Sequence, residues 1–225
     1  MKQVNRVLFA ILMVALIFSF GLNKSVSQVT DIDGNVYKTV IIGTQEWMAE
    51  NLNVKHYRNG DIIPNVKDRN EWSKITTGAW CYYDNEQDKG IIYGKLYKGF
   101  TINDPRGLAP DGWHIPSDAE WTILTDFLGG EKAAYEKLES ITFPESTWPV
   151  SKPTNESGFT ALPGGYRILG YLSFYELGMA GYFWSSTDES DTNSAWVRKL
   201  QYNVTRVQRV GGYKGWGLSV RCIKD

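Results

Sequence analysis

The chain has 225 residues, 42% hydrophobic and 22% charged, with 24 basic against 25 acidic side chains and a formal net charge of −1. So even a balance supplies no field to attract nucleic acid or an anionic membrane surface, and it excludes both as partners of first choice. Nine tryptophans and thirteen tyrosines suit one large domain with an aromatic core and some rings left for the surface.

The first residues carry Lys2 and Arg6 ahead of an apolar run from Val7 to Phe20. That run, about 14 residues, is shorter than the roughly 20 that span a bilayer, and Ser25-Val26-Ser27 offers small residues to a signal peptidase. The expectation is a secretory signal over 1–27, cut after Ser27, with an uncleaved anchor as the alternative. No cysteine follows the apolar run to accept a lipid. Cleavage would remove Lys2, Arg6 and Lys24, leaving 21 basic residues against 25 acidic ones over 28–225.

Asp33-Gly34-Asn35 is turn chemistry, Val36 to Ile42 is β-rich, and Gly43-Thr44 separates it from a second strand over Gln45 to Ala49. An opening hairpin is expected. Asp31, Asp33 and Asn35 lack the glycine and glutamate spacing of a calcium loop. Residues 51–76 have loop composition, and a strand should return over Gly78 to Tyr83 before an acidic turn at Asp84 to Asp88. From Ile91 to Phe100, apolar residues recur every four positions and predict a helix despite Gly94.

The strongest local signal lies at Ser117-Asp118-Ala119-Glu120. It reads as a capping box, with Pro116 ahead of it and Gly129-Gly130 as a left-handed stop. Trp121, Leu124 and Leu128 form the apolar stripe of that helix, and a second helix follows over Glu131 to Ser140, with Ala134, Leu138 and Ile141 on one face. Past Phe143 the texture turns to short strands, expected at 159–162, 182–186, 195–202, 204–210 and 216–223, with a corner at Pro163-Gly164-Gly165. Helices in the middle and strands at both ends place the chain in the α+β class, with its termini close together.

Two cysteines, Cys81 and Cys222, in an exported chain read by default as one disulfide. Closing so long a loop would stabilise the fold by roughly 4–5 kcal/mol. Two reduced thiols, one of them a nucleophile, is the rival reading.

Chemistry is sparse. His114 sits between Trp113 and Ile115 and His56 in a polar loop, neither with a partner at metal-ligand spacing, and no HExxH, CxxC, GxSxG or phosphate-loop pattern occurs. The chain therefore reads as a non-enzyme. Paired carboxylates for glycoside hydrolysis cannot be located by spacing alone. The stretch WSSTDESDTNSAWVR places Asp188, Glu189, Asp191 and Asn193 in a loop with Trp184 and Trp196 at its base. It is the first candidate for ligand binding, with calcium as the cofactor its oxygens could take and a solvated acidic loop over two core tryptophans as the alternative.

Five blocks, GTQEWMAENLNV (43–54), DPRGLAPDGWHIPSDAEW (104–121), GFTALPGGYR (158–167), FWSST (183–187) and GLSVRCIKD (217–225), resemble the Fibrobacter succinogenes major paralogous domain. That family occurs in secreted and surface proteins of Bacteroidetes and Fibrobacteres and is similar to the C-type-lectin-like fold group, which also contains the formylglycine-generating sulfatase activators. The resemblance implies a single domain over 28–225, with two helices and twisted antiparallel sheets. It fits a structural bridge between Cys81 and Cys222, and it brings no established activity. The expected function is a secreted or cell-envelope binding module, periplasmic or surface-held, for glycan or another envelope protein. A structural or adhesive subunit recognising protein is the alternative, and a carbohydrate-active or formylglycine-generating-like enzyme a distant third.

Overall fold

A computed structural model describes residues 27–140, 153–169 and 173–225. Strands β1 (Gln28–Thr30), β2 (Val36–Ile42) and β3 (Gln45–Met48) open the chain, followed by helix α1 (Arg69–Lys74), β4 (Trp80–Cys81), α2 (Gln87–Tyr93), β5 (Leu96–Lys98) and β6 (Trp113–His114). Helices α3 (Asp118–Phe127) and α4 (Glu131–Leu138) come next. Seven strands close the described chain: β7 (Gly164–Arg167), β8 (Phe174–Leu177), β9 (Ala180–Asp188), β10 (Ser194–Gln201), β11 (Val204–Tyr213), β12 (Gly217–Leu218) and β13 (Ile223–Lys224). They form three antiparallel sheets in the orders β1-β2-β3-β13-β6, β11-β10-β9 and β4-β5-β12-β7-β8. The first and last strands share a sheet, and the class is α+β.

The opening hairpin forms where turn chemistry placed it, with Gly43 at φ 63. The capping box also forms: Ser117 Oγ accepts from the Glu120 amide, and the Glu120 carboxylate accepts from the Ser117 amide at 2.7 Å. Four residues suffice for this because every contact is local. Trp121, Leu124 and Leu128 are buried beneath α3, while Ala134 and Leu138 of α4 pack into the same cluster with Phe159, Phe183 and Val207. Ile141 lies outside the described residues.

Two helices precede α3 and α4, and only α1 has no counterpart in the sequence expectation. Asp68 caps α1 through the Glu71 amide, inside a stretch whose composition reads as loop. Helix α2 replaces the helix expected over Ile91 to Phe100: it starts at Gln87, stops at Gly94 in a left-handed conformation (φ 75), and hands over to β5. A Cβ at residue 94 would lie 2.9 Å from the Leu52 carbonyl oxygen, so only glycine makes the turn there. Ile91 and Ile92 are exposed rather than packed. The strand expected at 159–162 is reduced to one bridge, Ala161 to Glu139, and that at 216–223 is split into β12 and β13.

The expected disulfide does not form: Cys81 and Cys222 are both free and buried. Cys81 packs with Val66, Trp72, Ala79 and Leu96, whereas Cys222 belongs to a different cluster with Tyr37, Met48 and Leu52, so each thiol is enclosed by its own core. Burial pushes the Cys81 thiol up to about 11 and the Cys222 thiol higher still, which leaves neither ionised at neutral pH. A maleimide should therefore modify neither cysteine in the native protein and both in denaturant without any reductant. Labelling that requires prior reduction would restore the bridge.

Candidate functional site

The expected ligand loop is the β9–β10 turn. Its residues are brought together, and two of its acids, Asp188 and Asp191, are already engaged, while Glu189 is exposed. Trp184 is fully buried and donates its indole N–H to the Tyr97 carbonyl at 2.8 Å, so it supports the turn from below and offers no ring to a ligand. Asp188 lies in ion-pair contact with Lys214, 2.6 Å from Oδ1 to Nζ. Glu189 sends its carboxylate over Gly211, where a Cβ would meet it within 2.2 Å. Asp191 accepts from the Asn193 amide at 2.8 Å, and the Asn193 carbonyl accepts from Lys214. Trp196 is half-buried, with the Arg209 guanidinium 3.2 Å from its ring centroid. Arg209 and Arg198 both reach Asp118 at the start of α3. Burial raises the Asp118 carboxyl, but the two guanidinium hydrogen bonds win and hold it below the usual range. Of the turn's acids, Asp188 ties it to a neighbouring segment and Asp191 bonds the turn's own backbone. Among the described residues no group of three or more His, Cys, Asp or Glu side chains is arranged to hold a metal ion.

Several polar residues of the five blocks are buried. Arg221 is fully buried and makes five hydrogen bonds: two to Asn51 Oδ1 and one each to the carbonyls of Met48, Phe159 and Thr160. Three blocks thus meet on one guanidinium, whose planar fork suits several acceptors at once. Arg167 does the same for the carbonyls of Val66 and Lys67 while lying over Trp72, 4.2 Å from its ring centroid. In the second block His114 bridges two acids, with Nε2 2.9 Å from Glu120 and Nδ1 2.7 Å from Asp225.

Both imidazole nitrogens facing carboxylates is the geometry of the charged ring. Partial burial opposes that charge, yet the hydrogen bonds from Asp225 and Glu120 prevail and raise the His114 value above that of free histidine. A raised value means a contribution fully present below about pH 6.5 and lost as pH climbs through the folded-state value. Glu120 is held below its usual range, so its share disappears only in acid. The stability advantage of the protein over His114→Gln, read from urea midpoints, should be largest below about pH 6.5 and shrink as pH rises through the raised folded-state value. An advantage that grows with pH would contradict the bridge.

Other titratable groups are also satisfied internally. His56 Nδ1 meets Asp33, and Asp31 is buried under bonds from the Asp33 and Asn35 amides and the Tyr37 hydroxyl. Lys95 is buried, donates to Asn53 and lies over the Trp80 ring; loss of hydration pulls it down to about 8. A cleft of about 200 Å³ opens between Ile32, Arg58 and Pro110, but the Arg58 guanidinium is committed to the carbonyls of Ala109 and Trp113.

What remains free is aromatic. Tyr166 on β7 is paired with Tyr175 on the sheet-edge strand β8, their rings stacked at 5.7 Å and 27°. Trp216 lies 6.1 Å from Tyr166, and all three rings are half-buried. None was singled out from the sequence. The Tyr166–Tyr175 pairing depends on a strand register that composition does not reveal, although aromatic residues on two neighbouring short strands were a usable sign.

No helix among the described residues is long and apolar enough to cross a membrane. No curated protein and no solved structure matches the chain significantly. The family model of the Fibrobacter succinogenes major domain matches residues 40–224, from within β2 to the end of β13. Most of the chain, including every block that meets on Arg221, lies inside that match, and the protein belongs to the Fibrobacter succinogenes major domain family.

Proposed function

We propose that this chain is an exported, non-catalytic binding module of the cell envelope and that its ligand is a glycan. The observation that carries this reading is the division of labour among its side chains. Arg221 and Asp188 are spent on holding the fold, while the half-buried rings of Tyr166 and Tyr175 lie at and beside a sheet edge. Stacking on sugar faces asks only for such rings and a few polar groups, whereas catalysis asks for a reactive group in reach of a substrate. The thiols that a formylglycine-generating mechanism would need are enclosed and un-ionised. A C-type-lectin-like arrangement is the fold reading we attach to this proposal, supported by two adjacent helices, α3 and α4, and by a sheet that holds both the first and last strands. Microcalorimetric titration of the purified protein with neutral oligosaccharides tests the reading: saturable heats without product formation are expected, and release of shorter sugars would overturn the non-catalytic assignment.

A second reading has its own observation. Ile41, Ile123 and Phe127 are 72%, 50% and 63% exposed along the groove between the β2–β3 hairpin and α3, an apolar strip of the kind that receives protein. Crosslinking on intact cells that captures one envelope protein, and is lost in Ile123→Asp with Phe127→Asp, would favour an adhesive subunit.

A further inference from the structure

Five strands from two sheets bring a single row of side chains together. Gln208 on β11 is paired with Lys199 on β10, and Lys199 with Tyr182 on β9. The Tyr182 ring lies 4.6 Å from that of Tyr166 on β7, which is paired in turn with Tyr175 on β8. Directly paired residues project from the same face of a sheet, so the row is continuous from Gln208 to Tyr175, with Trp216 beside Tyr166.

The chemistry of the row selects among ligand classes. Glu176 accepts from the Tyr182 hydroxyl at 2.6 Å and lies 3.4 Å from Lys199 Nζ. Its backbone within β8 is held at φ 59, a conformation costly for a non-glycine residue. Carboxylate and ammonium offset each other, so the row carries no net charge with which to hold a phosphate backbone or a polyanion. An apolar peptide would bury the Lys199 and Glu176 charges at a cost. A pyranose has what the row complements: flat C–H faces for the rings and a rim of hydroxyls for Lys199.

We propose that this row is a sugar-binding subsite in which Tyr175, Tyr166 and Trp216 stack on residues of an uncharged pyranose chain while Lys199 bonds its hydroxyls. It deepens the glycan reading above and depends on it. The β9–β10 turn plays no part.

The test titrates the purified protein with hexasaccharides of glucose, mannose, xylose and N-acetylglucosamine, alongside Tyr175→Ala, Trp216→Ala and the turn variant Glu189→Gln. At least one hexasaccharide should bind, with affinity reduced about tenfold or more by each ring deletion and unchanged by Glu189→Gln. Because β8 is a sheet edge, Tyr175→Ala keeps the test decisive even if Trp216→Ala fails to fold. Binding that survives both ring deletions overturns the subsite and leaves the glycan reading standing. A protein that binds none of the four sugars overturns both.

Discussion

Arg221→Ala should abolish the cooperative unfolding transition or lower the stability of the domain by about 4 kcal/mol or more. Its side chain is fully buried, and its removal takes donors from Asn51 Oδ1 and from the carbonyls of Met48, Phe159 and Thr160. Each buried acceptor left without a donor costs about 1–3 kcal/mol, and four of them approach the 5–15 kcal/mol that typically holds a whole domain together. Stacking on Phe159, 4.3 Å from guanidinium to ring centroid, is lost as well. Burial pulls the guanidinium's proton affinity down, so the native charge is retained by its oxygen acceptors rather than by a carboxylate in contact. Arg221→Lys keeps a charge but not the planar fork, and should recover only part of the loss. Circular dichroism during urea titration reads both variants. A lysine variant as stable as the parent would show that the charge matters and the hydrogen-bond pattern does not.

Trp121→Ala should cost about 3–5 kcal/mol, and Trp121→Phe much less. The indole sits with ring centroids 4.9 Å from Trp47, 5.8 Å from Phe159 and 5.8 Å from Phe183, joining α3 to the first sheet and to β9. Alanine leaves a large void in that cluster. Its indole N–H, however, is buried without a hydrogen-bond partner among the described residues, so phenylalanine removes an unsatisfied donor together with part of the volume. Equal losses in the two variants, measured as urea midpoints at constant m-value, would mean that the N–H is satisfied after all.

Legibility in the sequence followed the range of the interactions. The capping box and the Asp33-Gly34 and Gly43-Thr44 turns were readable because all their partners lie within a few residues. The family was readable because its five blocks are long, but their purpose was not, since Arg221 finds acceptors 170 residues away at Asn51. The fourfold spacing from Ile91 to Phe100 mixed the end of a helix with a strand. Only the close approach of Gly94 to Leu52 reveals the break, and that approach is tertiary. Compartment argued for joining Cys81 to Cys222, but pairing also needs the two thiols in one core, and they lie in two. Asp188 of the β9–β10 turn looked free because its partner Lys214 arrives from the turn beyond another strand. The aromatic row escaped for the same reason, being assembled by the register of five strands.

The most direct test of a fold-holding charge set with an aromatic binding face is titration of the purified protein with the same hexasaccharides, followed by tryptophan fluorescence, with and without EDTA. Saturable binding that EDTA leaves unchanged is the expected result, because Trp216 lies in the row and Asp188 and Asp191 of the turn are engaged by protein groups. Binding abolished by EDTA and restored by calcium would contradict it and return the site to Asp188, Glu189 and Asp191.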